Sequence, residues 1–348
     1  MSLEKRLIEE FSQRNLKTYS QKEDAALRKI SSKEKLAAYL LPSLGEKDDV
    51  SIENFIGNGG RQNIYKIRIN RKYYAASIRK EEITEGETKQ EFSLDELNEI
   101  EGIIPTFGIV RTKHEGEEFF YGTISKLIEN TSSLEDYIQI NGYNPEKNIK
   151  TPYLAKVLSY LSQILRSIHG LKEKKLVHRD FKNANILLQE NKAFLTDFDL
   201  MQHEYAAINK EAVMGTTPYK SIEALQGELL DYRTDLYSWT VCLAEAVGFL
   251  NPNRYDETTP VIEEAVLNEI MNKEYLPKIS DKRLRHLPGE LIHPLKEVLA
   301  NGLSPFRDMR KLDYITAIFN DPTISYYIDL ANKAPKKSLL EFLKTKIL

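Results

Sequence analysis

Residues 177–188 hold an acid, a cation and a carboxamide within six positions. Asp180, Lys182 and Asn185 lie in the stretch V-H-R-D-F-K-N-A-N-I-L-L, which closes with an apolar run typical of a short strand. A carboxylate can accept the proton of an attacking hydroxyl, an ammonium can neutralise charge on a transferred phosphate, and an amide oxygen can bind Mg²⁺. The stretch therefore predicts phosphoryl transfer.

A second carboxylate follows this stretch. Asp197 lies twelve residues after Asn185, in L-T-D-F-D-L, directly behind another apolar run. Its position predicts that the two residues share a metal ion. Ion pairing in a surface turn would explain His178, Arg179 and Asp180 alone. Seven residues of suitable type at fixed positions in a row are much harder to obtain by chance, which favours the catalytic interpretation.

The stretch H-R-D-F-K-N-A-N, followed by D-F-D, resembles the catalytic loop and the metal-binding motif of the protein kinase family, H-R-D-x-K-x-x-N and D-F-G. Lys182 is typical of the serine/threonine branch. The resemblance implies that Asp180 is the base or positions the substrate hydroxyl, and that Lys182 steadies the γ-phosphate. It also implies that Asn185 and Asp197 hold Mg²⁺ or Mn²⁺.

The resemblance covers residues 50–320. It implies an α+β, bilobal protein kinase-like fold, with a small five-stranded β lobe, a hinge and a larger α-helical lobe that together bind ATP. We predict a kinase-like N-lobe at 50–125 and a C-lobe at 126–322. Helical extensions are predicted at 1–49 and 323–348, which either pack on the lobes or bind a partner.

The composition gives no reason to expect nucleic acid or an anionic membrane as a partner. The 348 residues carry 49 Lys and Arg against 52 Asp and Glu, a net charge of −3. The first residues lack the apolar core of a signal peptide, and no run approaches the length of a membrane helix. The single cysteine, Cys242, cannot form an internal disulfide. We therefore expect a soluble, cytoplasmic protein with a buried structural thiol.

A small sheet is predicted ahead of the catalytic stretch. Residues 51–56, 64–69 and 73–79 alternate as strands, and the first connection, 57–62, is rich in glycine. Glycines let backbone N–H groups approach phosphate oxygens closely. The connection resembles the family's G-x-G-x-x-G-x-V, but Gln62 replaces the third glycine and should stiffen the loop tip or move it off the phosphates. The resemblance implies nucleotide contacts from Ile56, Gly57, Asn58, Gly59, Gly60 and Ile64.

The third strand is where the family carries a lysine that clamps the α- and β-phosphates. The family's V-A-I-K resembles A-S-I-R here, which puts Ser77 beside the adenine and Arg79 in the place of the lysine. A register two residues earlier would put Ser77 there. A register one residue later selects Lys80 but turns Ile78 toward the adenine, against the alternation of the strand. We choose Arg79, and Lys66 on the preceding strand is an alternative source of the charge.

The helix that follows should supply a glutamate that orients this cation. Counting back from the strand that begins I-I-P selects Glu91, whereas the helical pattern E-L-x-x-I selects Glu96. We favour Glu91, although so many acids in one region are also typical of a solvated helix face.

The remaining elements complete both lobes. Residues 103–110 and 118–124 are predicted strands that close a five-stranded sheet. Residues 125–129 are interpreted as the hinge, whose backbone groups meet the adenine, and Lys126 is the candidate contact. Residues 154–168 keep a helical apolar stripe up to an H-G pair that leads into the catalytic loop.

The segment after Asp197 continues to match the family. G-T-T-P-Y-K-S-I-E at 215–223 resembles the G-T-x-x-Y-x-A-P-E that ends an activation segment. The resemblance implies that Thr216 bonds to Asp180 and Lys182 near the substrate hydroxyl. It also implies that the segment forms a platform for a peptide.

Two further contacts of the larger lobe are implied in the same way. D-L-Y-S-W, which begins at Asp235, resembles the start of a buried helix whose aspartate caps the backbone of the catalytic loop. L-S-P-F-R-D-M-R, which ends at Arg310, resembles the segment whose arginine pairs with the last glutamate of the activation segment, here Glu223. Loss of that pair should cost roughly 3 to 5 kcal/mol if it is buried.

The arginine of the H-R-D motif, Arg179, indicates regulation through the activation segment. Thr217 and Tyr205 are candidate sites of autophosphorylation in that segment. Glu204 or Glu211 is the alternative, a carboxylate that stands in for the phosphate and keeps the segment ordered.

Three departures from the family pattern bear on activity, namely Gln62, Arg79 and Asp199, which replaces the glycine of D-F-G. Asp199 takes a positive φ less cheaply than glycine and adds charge near the metal. All four residues of the proton and metal chemistry are present, so we predict ATP- and Mg²⁺-dependent transfer to Ser or Thr hydroxyls of a protein substrate. The alternative is a pseudokinase that binds nucleotide or another polyphosphate as a scaffold. A small-molecule kinase is disfavoured by the peptide platform.

Overall fold

The computed structural model describes the chain in seven ranges: 50–58, 62–79, 94–114, 117–141, 149–206, 215–248 and 284–333. Within them the chain divides into two compact units. The first comprises the described residues up to 99 together with those from 104 to 129, and the second comprises 100–103 and those from 130 onward. The predicted extension 1–49 and the end of the predicted extension 323–348 lie outside the described residues.

The first unit contains the predicted antiparallel sheet of five strands. They are β1 (Val50–Asn58), β2 (Gln62–Ile69), β3 (Lys72–Arg79), β4 (Thr106–His114) and β5 (Glu117–Lys126), in the spatial order β1-β2-β3-β5-β4. Alternate residues of β2 and β3 are buried, because a period of two sends every second side chain to the same face. A short helix, α1 (Leu94–Asn98), is tied to β4 by the Asn98 carboxamide, which bonds to the N–H and C=O of Thr106 (2.8 and 2.7 Å).

The strand predicted at 103–110 starts later, at Thr106. Ile103 instead forms an isolated parallel bridge with Leu195 and belongs to the second unit. Pro105 lies directly before the strand and has no N–H to donate, so a strand through this point would lose a hydrogen bond of the ladder.

Strand β5 runs past its predicted end and includes Ser125 and Lys126. Ser125 pairs with Ala75 of β3, and the N–H of Lys126 donates to the carbonyl of Pro105 (2.8 Å). The first two residues of the predicted hinge are therefore part of the sheet, because their backbone groups are paired there.

The second unit is mainly helical. Its helices are α2 (Leu134–Asn141), α3 (Thr151–Glu173), α4 (Ile222–Leu225), α5 (Tyr232–Ala246), α6 (Gly289–Gly302), α7 (Leu312–Phe319) and α8 (Pro322–Lys333). Its short strands are β6 (Ser132–Ser133), β7 (Leu176–Val177), β8 (Ile186–Gln189), β9 (Lys192–Leu195) and β10 (Gln202–His203). β10 pairs with β7, and β8 lies between β6 and β9. No helix in the described ranges is long and apolar enough to cross a membrane.

The predicted apolar stripe lies on helix α3 and forms part of the core of the second unit. All six residues of that stripe are buried: Leu154, Val157, Leu158, Leu161, Leu165 and Ile168. The helix continues to Glu173, past the H-G pair at which we predicted its end. Gly170 instead permits a close approach, since a Cβ at this position would lie 2.5 Å from Cγ2 of Ile100.

Helix α5 is buried along most of its length. Trp239 donates from Nε1 to the carbonyl of Leu161 in α3 (3.1 Å), and its ring meets the edge of Phe319 at a centroid distance of 5.3 Å. Cys242 is buried, as predicted, and burial raises the pKa of its thiol. Residues in the first turn of α5 are therefore attached to a well-packed helix.

The predicted pair of Glu223 and Arg310 is confirmed and buried. Nη1 and Nη2 of Arg310 donate to Oε1 and Oε2 of Glu223 (2.6 and 3.0 Å), and Nε donates to the carbonyl of Ser304 (2.8 Å). Burial alone would raise the pKa of Glu223, but the charge and hydrogen bonds of Arg310 outweigh it and hold that pKa below its usual range. The pair joins the end of the predicted activation segment to the core.

Replacing Arg310 by Met should lower the free energy of unfolding by about 3 to 5 kcal/mol, because Glu223 would be left buried and uncompensated. Chemical denaturation measures this change. The matched control is Arg166→Met, which removes the exposed pair of Arg166 with Glu101 and should cost no more than about 1 kcal/mol. Equal losses in the two variants would contradict the structural role of the buried pair.

Candidate active site

The predicted catalytic loop, residues 178–185, begins where β7 ends and is anchored to α5. One carboxyl oxygen of Asp235 accepts from the N–H of His178 (2.7 Å) and the other from the N–H of Arg179 (3.0 Å). Asp235 is fully buried, and this capping contact is the one predicted from the sequence. Burial raises the pKa of Asp235 to about 7, whereas the two N–H groups and the charge of Arg179 favour its ionised form.

His178 is a buried, neutral connector within the loop. Its Nε2 lies 3.0 Å from the carbonyl of Thr196, and its Nδ1 lies 3.3 Å from the N–H of Asp180. A carbonyl only accepts and an N–H only donates, so the proton of the ring is on Nε2. Burial lowers the pKa of His178 to about 4. The rings of Phe181 and Phe198 enclose it, each at a centroid distance of 5.6 Å.

Asp180, Lys182 and Thr216 form one hydrogen-bonded cluster. Nζ of Lys182 donates to Oδ2 of Asp180 (2.7 Å) and to Oγ1 of Thr216 (2.9 Å). The N–H and the hydroxyl of Thr216 both donate to Oδ1 of Asp180 (2.9 and 2.8 Å). Burial opposes ionisation, but these partners outweigh it and hold the pKa of Asp180 below its usual range. The predicted contacts of Thr216 are confirmed.

Asn185 is oriented by its side-chain nitrogen. Its Nδ2 donates to the carbonyl and to Oδ2 of Asp180 (2.8 and 3.1 Å). The backbone is fixed as well, because the carbonyl of Asn185 accepts from the N–H of Thr196 (3.0 Å). The carboxamide therefore has a set orientation beside Asp180, and its oxygen is the atom suited to a cation.

The left-handed residue of D-F-D is its first aspartate. Asp197 has φ 68°, whereas Asp199 does not have a positive φ. The expectation of backbone strain at Asp199 is therefore wrong. Residues 198–201 form a turn in which the N–H of Met201 donates to the carbonyl of Phe198 (3.1 Å), and Asp199 lies in this turn. Aspartate tolerates the left-handed conformation better than most residues, which suits Asp197.

The metal expectation rests on Asn185 and Asp197. In the described part of the chain, no group of three or more His, Cys, Asp or Glu side chains is placed to hold a metal ion. Mg²⁺ usually binds through one or two carboxylates together with substrate phosphates and waters. One carboxamide oxygen and one carboxylate fit that pattern.

In the first unit, the candidate nucleotide contacts share one face of the sheet. Gly57, Ile64, Ser77 and Thr123 pair side by side across β1, β2, β3 and β5. Directly opposite residues of antiparallel strands project to the same face. A Cβ at Gly57 would contact Cδ1 of Ile64 (3.4 Å), so glycine leaves space above this row that a side chain would fill. Ile56, next to Gly57, is an exposed residue of β1.

Gln62 is not at a loop tip, which corrects the sequence prediction. It opens β2 opposite Arg79 and is only 7% exposed. Gly57 and Asn58 likewise belong to β1, because the ladder between the strands continues to this end. Gly59 and Gly60 lie outside the described residues.

Arg79 is the last residue of β3, and its side chain lies outside the described residues. Lys66 pairs with Ala75, which is about 13 Å along the strand from Arg79. Nζ of Lys66 donates to Glu129 (3.0 Å) and lies 4.3 Å from the centre of the Tyr73 ring. Its position does not support the alternative that Lys66 replaces Arg79.

The other candidates of the first unit are placed as follows. Glu91 lies outside the described residues, and Glu96 is half-buried in α1. Lys126 is exposed at the end of β5, and its N–H is used by Pro105 within the unit. By alternation its side chain is on the face of Tyr74, opposite to that of Ser77.

Glu204 does not stand in for a phosphate near Arg179. Its Oε1 accepts from the N–H of Tyr232 (3.1 Å), at the start of α5. Nη1 of Arg179 instead donates to Oε1 of Gln202 (2.8 Å), a residue that the sequence analysis missed. Glu211 and the side chain of Thr217 lie outside the described residues, and the Tyr205 hydroxyl bonds to Oδ2 of Asp231 (3.3 Å).

Two contacts of Glu245, one with the loop and one with the segment at 215–223, were also missed. Oε2 of Glu245 accepts from Nδ2 of Asn183 (2.8 Å) and from the hydroxyl of Tyr219 (2.6 Å). Glu245 thus links the catalytic loop to the activation segment. Glu245 is the second-to-last residue of a mostly apolar helix, and this position carries no local signal, because acids more often face solvent.

Comparison with known proteins identifies the family of this chain. A family model described as a protein kinase domain matches residues 50–305, so the chain belongs to the protein kinase family. The predicted α+β, bilobal kinase-like fold is confirmed.

Several curated proteins are similar over part of their length. The serine/threonine-protein kinase nekl-2 of Caenorhabditis elegans is 26% identical over 64% of this chain and 54% of its own length. A probable serine/threonine-protein kinase of Clostridium acetobutylicum is 30% identical over 60% of this chain and 31% of its own. Mitogen-activated protein kinase kinase 1c of Physcomitrium patens is 27% identical, over 57% and 56%. The chain thus spans between 31% and 56% of the length of these relatives.

Acid should destabilise the fold through His178. Its pKa is 6.5 when free and about 4 in the folded chain, so between these values the unfolded chain binds a proton that the folded chain does not. This contribution to stability is complete above pH 6.5 and is lost as the pH falls toward 4. The loss is at most about 1.4 kcal/mol per pH unit.

Asp235 titrates in the opposite sense, since a raised pKa favours the folded chain as the pH falls. The quantity to measure is therefore the difference in unfolding free energy between wild type and His178→Phe, from above pH 7 down to pH 5. This difference should shrink with acidification. The exposed Met309→Leu, which has no titratable group, is the control and should show no such trend. A constant difference for His178→Phe would refute a neutral buried imidazole.

Proposed function

We propose that this chain transfers the γ-phosphoryl group of ATP to Ser or Thr hydroxyls of a protein substrate. The observation that carries the proposal is the cluster in which Asp180 lies 2.7 to 2.9 Å from its partners on Lys182 and Thr216. Family membership supports phosphoryl transfer, and two of the similar proteins are named serine/threonine-protein kinases. The segment at 215–223 is the proposed peptide platform.

In the proposed reaction, the substrate hydroxyl oxygen forms a bond to the γ-phosphorus while the bond to the bridging oxygen breaks. The leaving ADP keeps the electron pair of that bond, and the hydroxyl proton passes to Asp180. The partners of Asp180 keep it ionised and therefore able to accept this proton. The ammonium of Lys182 has three N–H groups, of which Asp180 and Thr216 use two, so the third is available to a γ-phosphate oxygen.

Asn185 and Asp197 are the proposed ligands of Mg²⁺ or Mn²⁺. The two donations from Nδ2 of Asn185 to Asp180 support Oδ1 as its ligand atom. When bound, the ion neutralises charge on the phosphates. Asn185 thus serves two tasks, since it also steadies the carboxylate that receives the proton.

We propose that the nucleotide contacts the sheet face that carries Gly57, Ile64 and Ser77. Their shared row supports this assignment. Arg79, two residues after Ser77, would supply the charge for the α- and β-phosphates, although its planar guanidinium replaces a point charge. The other proposed contacts are Ile56, Asn58, Gly59 and Gly60. The geometry of β5 does not support a contact from Lys126, because its N–H donates to Pro105 and its side chain lies on the opposite face.

Thr217 and Tyr205 are the proposed sites of autophosphorylation. Tyr205 is 53% exposed, and its hydroxyl makes one long hydrogen bond to Asp231 (3.3 Å). Thr217 directly follows Thr216 on the segment that carries the platform. Mass spectrometry after incubation with Mg²⁺ and ATP would identify the modified residue.

Asp180→Asn should reduce transfer of labelled γ-phosphate to a generic basic protein by about 10² to 10³, because the proton acceptor is lost while its shape is kept. The matched control is Asp313→Asn, an exposed aspartate of α7 that should not change the rate. Label from the variant at the wild-type rate would refute the role of Asp180.

Arg79→Met should reduce the rise in melting temperature that Mg²⁺ and ATP produce, and should lower transfer by about 10² to 10³, because a charge contact to the phosphates is removed. Arg79→Lys should retain most of both. The control Lys72→Met alters an exposed cation of the same strand and should change neither. An unchanged nucleotide effect in Arg79→Met would move the phosphate contact elsewhere.

The replacement of the expected lysine by Arg79 favours one alternative, a pseudokinase that binds nucleotide or another polyphosphate as a scaffold. The same experiments separate the two functions. A melting temperature raised by nucleotide, with no label transferred by wild type in Mg²⁺ or Mn²⁺, would support the pseudokinase.

A further inference from the structure

Arg179 has an unusual set of partners for a cation next to a catalytic aspartate. Its Nη1 donates to Oε1 of Gln202 (2.8 Å) and, less well, to the carbonyl of Leu200 (3.4 Å). Its Nε is buried and has no hydrogen-bond partner in the described part of the chain. Among those residues Arg179 forms no ion pair, so a neutral carboxamide is its best-formed contact.

Gln202 is placed to hold two segments together. It is only 2% exposed and lies in β10, where its backbone pairs with Val177 of β7. Val177 directly precedes the catalytic loop, and Gln202 follows Asp197 by five residues. The side chain of Gln202 therefore connects the segment of the proposed metal ligand to the loop of the proposed base.

The chain has few sources of a phosphate that would take over this contact. The segment A-A-I-N-K-E-A-V-M-G, at 206–215, contains no Ser, Thr or Tyr. Of the two threonines that follow, Thr216 is committed to Asp180 and Lys182, so Thr217 is the one that remains a proposed phosphorylation site. Tyr205 is held toward α5, since its N–H donates to the carbonyl of Leu230 (2.8 Å) and its hydroxyl to Asp231.

We propose that Gln202 is a positioning residue that orients Arg179, and through it the catalytic loop, without any phosphate on the activation segment. The amide oxygen of Gln202 takes the place that a phosphate or carboxylate acceptor would occupy. Arg179 is then held in its left-handed conformation (φ 68°), in which its N–H reaches Asp235. The consequence for transfer rests on the proposed function, whereas the consequence for loop order does not.

The experiment compares wild type with Gln202→Leu, which keeps similar bulk but has no acceptor, and Gln202→Glu, which offers Arg179 a carboxylate. Gln189→Leu, a substitution of the same type in β8, is the control. Each protein is treated with a phosphatase, and mass spectrometry verifies that no phosphate remains. Two experiments follow: hydrogen exchange of the backbone amides at 176–185, and kinetics of γ-phosphate transfer, which give kcat and KM for ATP.

We expect phosphatase-treated wild type to keep both its amide protection and its rate of transfer. Gln202→Leu should exchange faster at 176–185 and lose about 10² in kcat with KM for ATP unchanged, because the base is misplaced and the nucleotide contacts are not. Gln202→Glu should restore protection and kcat, and Gln189→Leu should match wild type.

Two results would overturn the proposal. One is unchanged amide exchange in Gln202→Leu, and the other is a loss of protection in wild type on removal of phosphate. Hydrogen exchange decides the matter even if wild type transfers no phosphate. Absence of transfer by wild type would refute the proposed function alone, because loop order would still depend on Gln202.

Discussion

The catalytic loop depends on one buried carboxyl group, that of Asp235 in α5. Two consecutive N–H groups, of His178 and Arg179, converge on it (2.7 and 3.0 Å). Successive N–H groups converge in this way when the chain turns through a left-handed residue, here Arg179. A buried acceptor that lost such donors would cost about 1 to 3 kcal/mol, so the loop and the helix hold each other in place. Helix α5 is fixed in turn by Trp239, within the core of the second unit.

From this anchor, the positions of Asp180 and Asp197 are coupled through His178. The neutral ring of His178 accepts from the N–H of Asp180 on one side and donates to the carbonyl of Thr196 on the other. Thr196 directly precedes Asp197. Because each ring nitrogen has one partner, a charged imidazole would break one of these bonds. Burial prevents this at neutral pH by lowering the pKa of His178.

The three departures from the family pattern do not disturb the hydrogen bonds of the catalytic loop. Gln62 lies in a strand rather than at a loop tip, so the stiffening expected there does not arise. Asp199 lies in a turn and needs no left-handed backbone. Arg79 is the departure that bears on nucleotide binding, since a guanidinium and an ammonium differ in length and shape. The proposed mechanism thus assigns proton transfer and contact with the phosphates to separate residues.

Local pattern alone was sufficient for much of this protein. The loop residues Asp180 to Asn185, the alternating strands and the apolar stripe of α3 are all encoded within a few turns or one strand, so spacing reveals them. The resemblance to a family added Thr216, Asp235 and Arg310, whose partners lie far away in sequence. Gln202, Glu245 and the close approach at Gly170 had no such signal. Each exists only because folding brings distant backbone together, and a single chain read in order does not contain that proximity.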